Sequence, residues 1–216
     1  MSDELVFYTH PLSRGRSVRW MLEEVGQPYR TELLEYGPAM KSADYLAINP
    51  MGKVPAIRHG DTVVTEAAAI CAYLADAFPQ AGLAPPPADR QRGPYYRWLF
   101  FAAGPLEAAV INQVMGVVVP EVREKMAGYG HFAAVVNVLE GAVSQGGYLV
   151  GDRFTAADVY LGSQIGWGMS MGWLEKRPAF ERYWQRICGR PAALRAREID
   201  AALTPPTPEA DESPIV

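Results

Sequence analysis

Cysteine is nearly absent. Among 216 residues there are two, Cys71 and Cys188, far apart and with no Cys-x-x-Cys pair. Neither a zinc site nor a dithiol redox motif is expected, and no metal is called for. A reducing cytoplasm is the default compartment. An excess of positive charge is missing too: 20 Lys and Arg stand against 24 Asp and Glu, a net charge of −4. That argues against a general nucleic-acid binder and against an anionic-membrane binder. Long hydrophobic runs are lacking as well. The most apolar stretch, "AAGPLEAAVINQVMGVVVP", is broken by Glu107, Asn112 and two prolines, so no membrane span is expected. The start, "MSDELVFYTH", has neither the basic nor the apolar region of a signal peptide, which again points to the cytoplasm. There is no internal repeat.

What is present is apolar mass. Hydrophobic residues make up 49% and charged residues 20%, enough for a sizeable core in a chain whose length suits two domains. The first 80 residues alternate. "LVFYTH" reads as a strand. "SRGRSVRWMLEEVG" reads as a helix, with Val18, Met21, Leu22 and Val25 at helical spacing and Gly26 as its C-cap. "YRTELLEY" reads as a second strand, completing a βαβ unit with a parallel pair. A short helix over 38–48 precedes a hairpin with strands at 55–59 and 62–65 and a Gly60-Asp61 turn. "EAAAICAYLADAFP" is a helix with Ile70, Leu74 and Phe78 on one stripe, ended by Pro79.

The order βαβ, loop, ββα predicts one mixed sheet of about four strands with helices packed on it. The proline-rich stretch "PQAGLAPPPADRQ" then reads as a linker. All that follows reads as helical: a long segment with a bend near Gly104-Pro105, then a segment with Phe132, Val136 and Leu139 at helical spacing. A third helix opens on Thr155-x-x-Asp158 like a capping box, with Phe154 and Val159 placed as a hydrophobic staple. Two more helices begin with proline. The expected division is 1–80, linker 81–89, helical domain 90–203 and a mobile tail 204–216.

One stretch is unusual: "NPMGKVPAI", residues 49–57, sets a proline at the mouth of a hairpin strand. Proline donates no N–H to a ladder and belongs at a strand's first residue, an edge or a bulge. Taken with "FYTHPLSRGRSVRWMLEE", "TEAAAICAYLADAFP" and "GDRFTAADV", in that order, it makes the chain resemble the cytosolic glutathione transferases, particularly the bacterial ones. The resemblance runs over nearly the whole chain. It implies a thioredoxin-like α/β N-terminal domain and an all-α C-terminal domain. It also implies a cis bond before Pro55, which would turn the Val54 backbone outward to pair with the cysteinyl backbone of glutathione.

The family's anion sites map onto this sequence with one departure. Glu66-Ala67 stands at a helix N-terminus where the family usually has Glu-Ser or Glu-Thr, so the γ-glutamyl carboxylate would meet the Ala67 N–H without a hydroxyl. Glu66 would pair with the ligand's amino group, and Lys53 and Lys41 would reach its carboxylates. Each lysine has a plain alternative as a solvated charge.

Conjugation needs glutathione's thiol as a thiolate, and a free thiol with pKa near 8.5 is only a few per cent ionised at neutral pH. One or two hydroxyl hydrogen bonds to the anion, worth roughly 1.5–3 kcal/mol each, would shift that balance. Ser13, just after the first strand, resembles the serine of the serine-type classes. Tyr8, within the strand, stands where the tyrosine-type classes carry theirs. Ser13 ranks first and Tyr8 second. The plain alternatives are a helix N-cap for Ser13 and a half-buried strand aromatic for Tyr8. Arg14, Arg16 and Arg19 mark either an electropositive thiolate site or a solvated face paired with acids. His10 reads as structural, and Cys71 as a small packed residue. No cysteine lies between residues 9 and 17, which argues against the omega-type disulfide reductases.

The expectation is a glutathione transferase acting on small apolar electrophiles. It would use glutathione as co-substrate and no other cofactor. The rivals are a glutathione-dependent isomerase or peroxidase on the same scaffold, and a non-catalytic interaction module. Phe101, Leu106, Met115 and Trp167 are candidates for the co-substrate wall. The resemblance also implies a C2 homodimer, to which Tyr95, Tyr96 and Trp98 would contribute.

Overall fold

The computed structural model describes residues 3–204; the tail expected over 204–216 lies, from 205 onward, outside the described residues. Strand β1 (Leu5–Thr9), helix α1 (Gly15–Val25) and strand β2 (Arg30–Leu33) form the βαβ unit, with Val6 opposite Arg30 in a parallel pair. Strands β3 (Ala56–His59) and β4 (Thr62–Thr65) form the hairpin, and β3 pairs antiparallel with β1. The sheet order is β2-β1-β3-β4, the mixed four-stranded sheet that the alternation predicts. Helix α2 (Ala43–Ile48) follows a 3₁₀ turn at Ala39–Lys41, and α3 (Ala67–Ala77) leaves β4 directly.

Successive residues of β1 face opposite sides of the sheet. Phe7 is buried beneath α1, with the Arg19 guanidinium 5.0 Å above its ring. Tyr8 turns the other way, toward Tyr45 of α2, with ring centroids 5.8 Å apart. A strand covered on both faces reads as a continuous apolar run, which is why "LVFYT" does not alternate. On α1, Val18, Met21, Leu22 and Val25 are all buried, and Gly26 closes the helix at φ 71° with its N–H bonded to the Leu22 carbonyl. Each such aliphatic side chain contributes about 1.5–3 kcal/mol through burial.

The helical half comprises α4 (Arg92–Phe101), α5 (Glu107–Val114), α6 (Phe132–Ser144), α7 (Ala156–Met171), α8 (Pro178–Cys188) and α9 (Pro191–Leu203). Between α4 and α5 the chain makes a π-helical turn over Ala102–Leu106 with Pro105 inside it. Pro105 has no N–H to give to the preceding turn, so the hydrogen-bond register slips where the bend is predicted. Helix α7 runs through the centre of this half and is buried on most of its circumference. Its capping box is complete. Asp158 Oδ2 accepts from the Thr155 N–H at 2.9 Å and the Thr155 hydroxyl at 3.0 Å, while Oδ1 accepts from the Leu149 N–H and the Tyr183 hydroxyl. Phe154 and Val159 are both buried beside it.

The three aromatics assigned to a dimer face behave differently from one another. Tyr95 and Trp98 are buried within the chain's own core, while Tyr96 is 41% exposed. Helical spacing marks which residues share a face, but here that face is covered by the same chain.

The last helix closes back on the first. Arg19 Nε lies 2.8 Å from Asp200 Oδ1, both side chains buried. Arg190 grips Glu24 with two bonds of 2.6 and 2.8 Å, and Arg195 reaches Glu23 at 3.2 Å. No described helix is long and apolar enough to cross a membrane.

Candidate functional site

β1 ends at Thr9, and the chain turns through His10 and Pro11 before α1 starts. Ser13 occupies that turn, half-buried. Its hydroxyl donates to the His10 carbonyl at 2.7 Å and its oxygen accepts from the Gly15 N–H at 2.9 Å. Gly15 permits this because a Cβ there would collide with the Thr9 side chain and lie 2.9 Å from Ser13 Oγ. The proton on Ser13 is free to rotate from the carbonyl to an arriving anion, and the Gly15 N–H strengthens it as a donor. His10 is buried; its Nδ1 accepts from the Leu12 N–H at 3.1 Å and its ring packs 4.3 Å from Tyr36. It serves as a structural residue, as the sequence suggests.

The same end of the sheet carries Val54. The β1–β3 register sets Tyr8 opposite Ala56, so β1 ends at the side of the sheet where Val54 leads into β3. The β3–β4 register sets Ala56 opposite Thr65, so Glu66 follows β4 at the end of the hairpin where Pro55 precedes β3. The Val54–Pro55 peptide is cis. The backbone before it is pinned: the Lys53 carbonyl accepts from the Tyr45 hydroxyl at 2.6 Å and from Asn49 Nδ2 at 2.7 Å. Burial and the neighbouring Tyr8 push the Tyr45 phenol up to about 12, so it remains a donor. Gly52 sits at φ 56°, and a Cβ there would lie 2.5 Å from the Met40 carbonyl oxygen, so only glycine fits this turn. The Lys53 side chain is exposed. Lys41 is also exposed but spends two donors on the Met51 and Gly52 carbonyls, at 2.9 and 3.2 Å, and so fixes the loop.

Tyr45 and Asn49 are the residues that sequence reasoning missed. The Asn49-Pro50 turn signal was the available clue to Asn49. Nothing in the spacing identifies Tyr45.

Glu66 is the one non-glycine residue at positive φ among the described residues, at φ 66° and ψ 116°. Such a conformation costs of order 1–3 kcal/mol and persists where its surroundings over-determine it, often at ligand sites. It is exposed, and it precedes Ala67, the first residue of α3, whose N-terminus therefore opens at the same edge of the sheet as Val54.

Ser13 also lines a cavity of about 620 Å³ between α1, α7, α8 and α9. Tyr8 does not line it; its hydroxyl lies beside Arg58, whose guanidinium it holds above the ordinary value. The two hydroxyls thus occupy different environments, and only Ser13 faces the cleft. At the cleft mouth Arg14 ion-pairs with Glu107 and stands 5.6 Å over the Trp167 ring. Arg19 is buried against Asp200, whereas Arg16 is exposed on the cavity wall. Arg14 thus fits the reading of a solvated face paired with acids, whereas Arg19 fits neither reading, because it is paired in the interior where a helix face was expected to meet water. Of the four wall candidates, Trp167 alone lines this cavity. Leu106 is fully buried in the core, Phe101 packs on Trp98, and Met115 is 63% exposed beyond the end of α5. Their spacing identifies a helical stripe but not which side of it meets the cleft. Tyr160, also in the wall, has its phenol pushed up by burial. Burial likewise raises the Cys71 thiol, which leaves it inert. Among the described residues no group of three or more His, Cys, Asp or Glu is placed to hold a metal ion.

Known proteins resemble this chain in sequence and in fold. The family model described as the glutathione S-transferase N-terminal domain matches residues 14–77, and that of the C-terminal domain matches 112–191. Glutathione S-transferase 3 of Zea mays is 30% identical over 183 residues, covering 79% of this chain and 81% of the relative. Glutathione S-transferase GstB of Escherichia coli K12 is 30% identical over 192 residues, covering 83% and 90%. The crystal structure of the Phanerochaete chrysosporium glutathione transferase URE2P6, a complex with oxidized glutathione, superposes with a TM-score of 0.78 at 25% identity, covering 94% of this chain and 99% of that one. The chain belongs to the glutathione S-transferase family and is an enzyme of that kind.

Proposed function

We propose that this chain is a bacterial, cytoplasmic, serine-type member that conjugates the glutathione thiolate to small apolar electrophiles. One observation carries the reading: the Ser13 hydroxyl stands both at the end of the sheet that presents Val54 and on the wall of the aromatic cavity. The peptide backbone of glutathione would pair with Val54 as an added strand residue, with Pro55 holding that backbone outward. Glu66 would meet the ligand's amino group, and the N-terminus of α3 at Ala67 its γ-glutamyl carboxylate. Lys53 and Lys41 would face the glycyl end. Ser13 would give its proton as a hydrogen bond to the sulfur, favouring the anion over the thiol. Tyr8 remains the second candidate for that donor. The thiol proton leaves to solvent, and the sulfur then forms a bond to the electrophilic carbon as its leaving group departs.

The domain division at 80 and 90 and the C2 homodimer belong to the same reading. Tyr96 and Phe100, 41% and 71% exposed on α4, are the aromatics a partner would cover. The test is a screen of electrophiles with glutathione, run beside peroxides and maleylacetoacetate. Conjugation supports the reading. Turnover of peroxide or isomerisation alone would move it to the rival chemistries, and failure to be retained on immobilised glutathione would leave a non-catalytic module.

A further inference from the structure

The cleft beside Ser13 is aromatic, but it is not only apolar. Trp20, Trp167, Trp173 and Trp184 line it. Two of these rings rest against the backbone of α7 because that helix has glycine beneath them. A Cβ on Gly166 would lie 2.6 Å from the Trp184 ring, and one on Gly168 would lie 2.5 Å from the Trp173 ring. Trp20 meets Trp184 edge to face at a centroid separation of 6.2 Å. The walls are therefore set by packing, and they suit a flat ring.

Charge in the same wall is one-sided. Its two acids are already matched, Glu107 by Arg14 and Asp200 by Arg19. Arg16 on α1 and Arg197 on α9 make no ion pair among the described residues, although Arg16 stands near enough to Asp200 to act on its carboxylate. Arg197 spends one donor on the Cys188 carbonyl at 2.8 Å.

We propose that the preferred co-substrate is a planar aromatic electrophile bearing an anionic group, such as an arene carboxylate, held between Arg16 and Arg197 with its ring against the tryptophans. The inference rests on the reading that the Ser13 cleft receives the co-substrate, and it replaces the apolar class proposed for that co-substrate with an acidic aromatic one. Guanidinium groups recognise carboxylates through paired charge-assisted hydrogen bonds and also stack on aromatic faces. The reaction stays balanced. The thiolate sulfur bonds to the ring carbon, the carbon–halogen bond breaks, halide leaves with its electron pair, and the carboxylate is unchanged.

The test compares 4-chloro-3,5-dinitrobenzoate with neutral 1-chloro-2,4-dinitrobenzene, each rate divided by its uncatalysed rate with glutathione. The benzoate should show the higher normalised kcat/KM, by about tenfold or more. Arg197→Gln and Arg16→Gln should each reduce that ratio by about threefold or more, mainly through the KM of the benzoate. Raising the salt to about 0.5 M should reduce it in the unaltered protein. A ratio near one, or a ratio kept by both variants, overturns the inference while leaving the transferase reading intact. The unreactive pair 3,5-dinitrobenzoate and 1,3-dinitrobenzene, titrated by quenching of tryptophan fluorescence, reads the cleft without chemistry. Tighter binding of the benzoate there supports the acidic-aromatic site even if neither chloride is conjugated. Equal binding overturns it.

Discussion

The Gly15 N–H points at the Ser13 oxygen from 2.9 Å, so the hydroxyl at the cleft is itself held by the first turn of α1. If Ser13 gives the thiolate its hydrogen bond, Ser13→Ala removes that donor and leaves Val54, Glu66 and the α3 terminus in place. Glutathione affinity should be nearly kept, while the pKa of the bound thiol rises by roughly one to two units. Thiolate absorbance against pH reads the shift. Tyr8→Phe should change it less, because Tyr8 lies beside Arg58 and outside the cavity wall. The opposite ranking would transfer the role to Tyr8.

Arg19 and Asp200 form a buried pair in which Arg19 Nη2 has no partner. Removing one member strands the other, so Arg19→Met or Asp200→Ala should each cost about 3–5 kcal/mol in urea unfolding. Arg19→Met combined with Asp200→Leu should recover most of that loss, because two desolvated charges and an orphaned donor leave together. A single variant within about 1 kcal/mol of the parent would reject the pair's importance.

Gly52→Ala tests the loop that presents Val54. A methyl group cannot occupy φ 56° beside the Met40 carbonyl without moving the turn that Lys41 ties down. Stability should fall by about 1–3 kcal/mol. Glutathione affinity, measured by calorimetry, should fall as well; unchanged affinity would show that the turn does not position the ligand-binding strand.

Asp158→Ala deprives four donors of their acceptor in the buried cap of α7. At about 1–3 kcal/mol for each buried donor left unpaired, a loss of at least about 3 kcal/mol is expected by urea denaturation. Asp158→Asn keeps an oxygen for Leu149 and Tyr183 and should cost less. Equal losses would assign the effect to charge in place of hydrogen bonding.

The local signals in the sequence were sufficient for the elements. Glycine at position 26, proline at 79 and 105, and the Thr155–Asp158 pair each act within a turn or two of chain, and each does in the structure what its chemistry dictates. The elements proposed to hold glutathione were legible for the same reason, since Val54 stands just before β3 and Glu66 just before α3. The cavity wall was not. Val110 lines it where Leu106 and Met115 do not, a choice fixed by how α5 is rotated after the π turn. The pairs that join the halves were invisible for a related reason: one arginine among several gives no sign of a carboxylate far along the chain. Lys41 illustrates the limit on a single residue, because a lysine near a loop reads the same whether it binds a ligand or the loop's own carbonyls.

The embrace of α1 by α9 has a consequence for the order in which the protein is made. Arg19 leaves the ribosome 181 residues before Asp200, its buried partner. Until then the nascent N-terminal half can form its sheet, but the helix that follows Ser13 holds a guanidinium facing a place where no anion yet exists. Arg190 and Arg195 likewise arrive long after Glu24 and Glu23. Completion of the N-terminal half is thus deferred until α9 has been made. A chain released early, short of its last helix, would carry every residue assigned to glutathione and still lack the clasp that holds them.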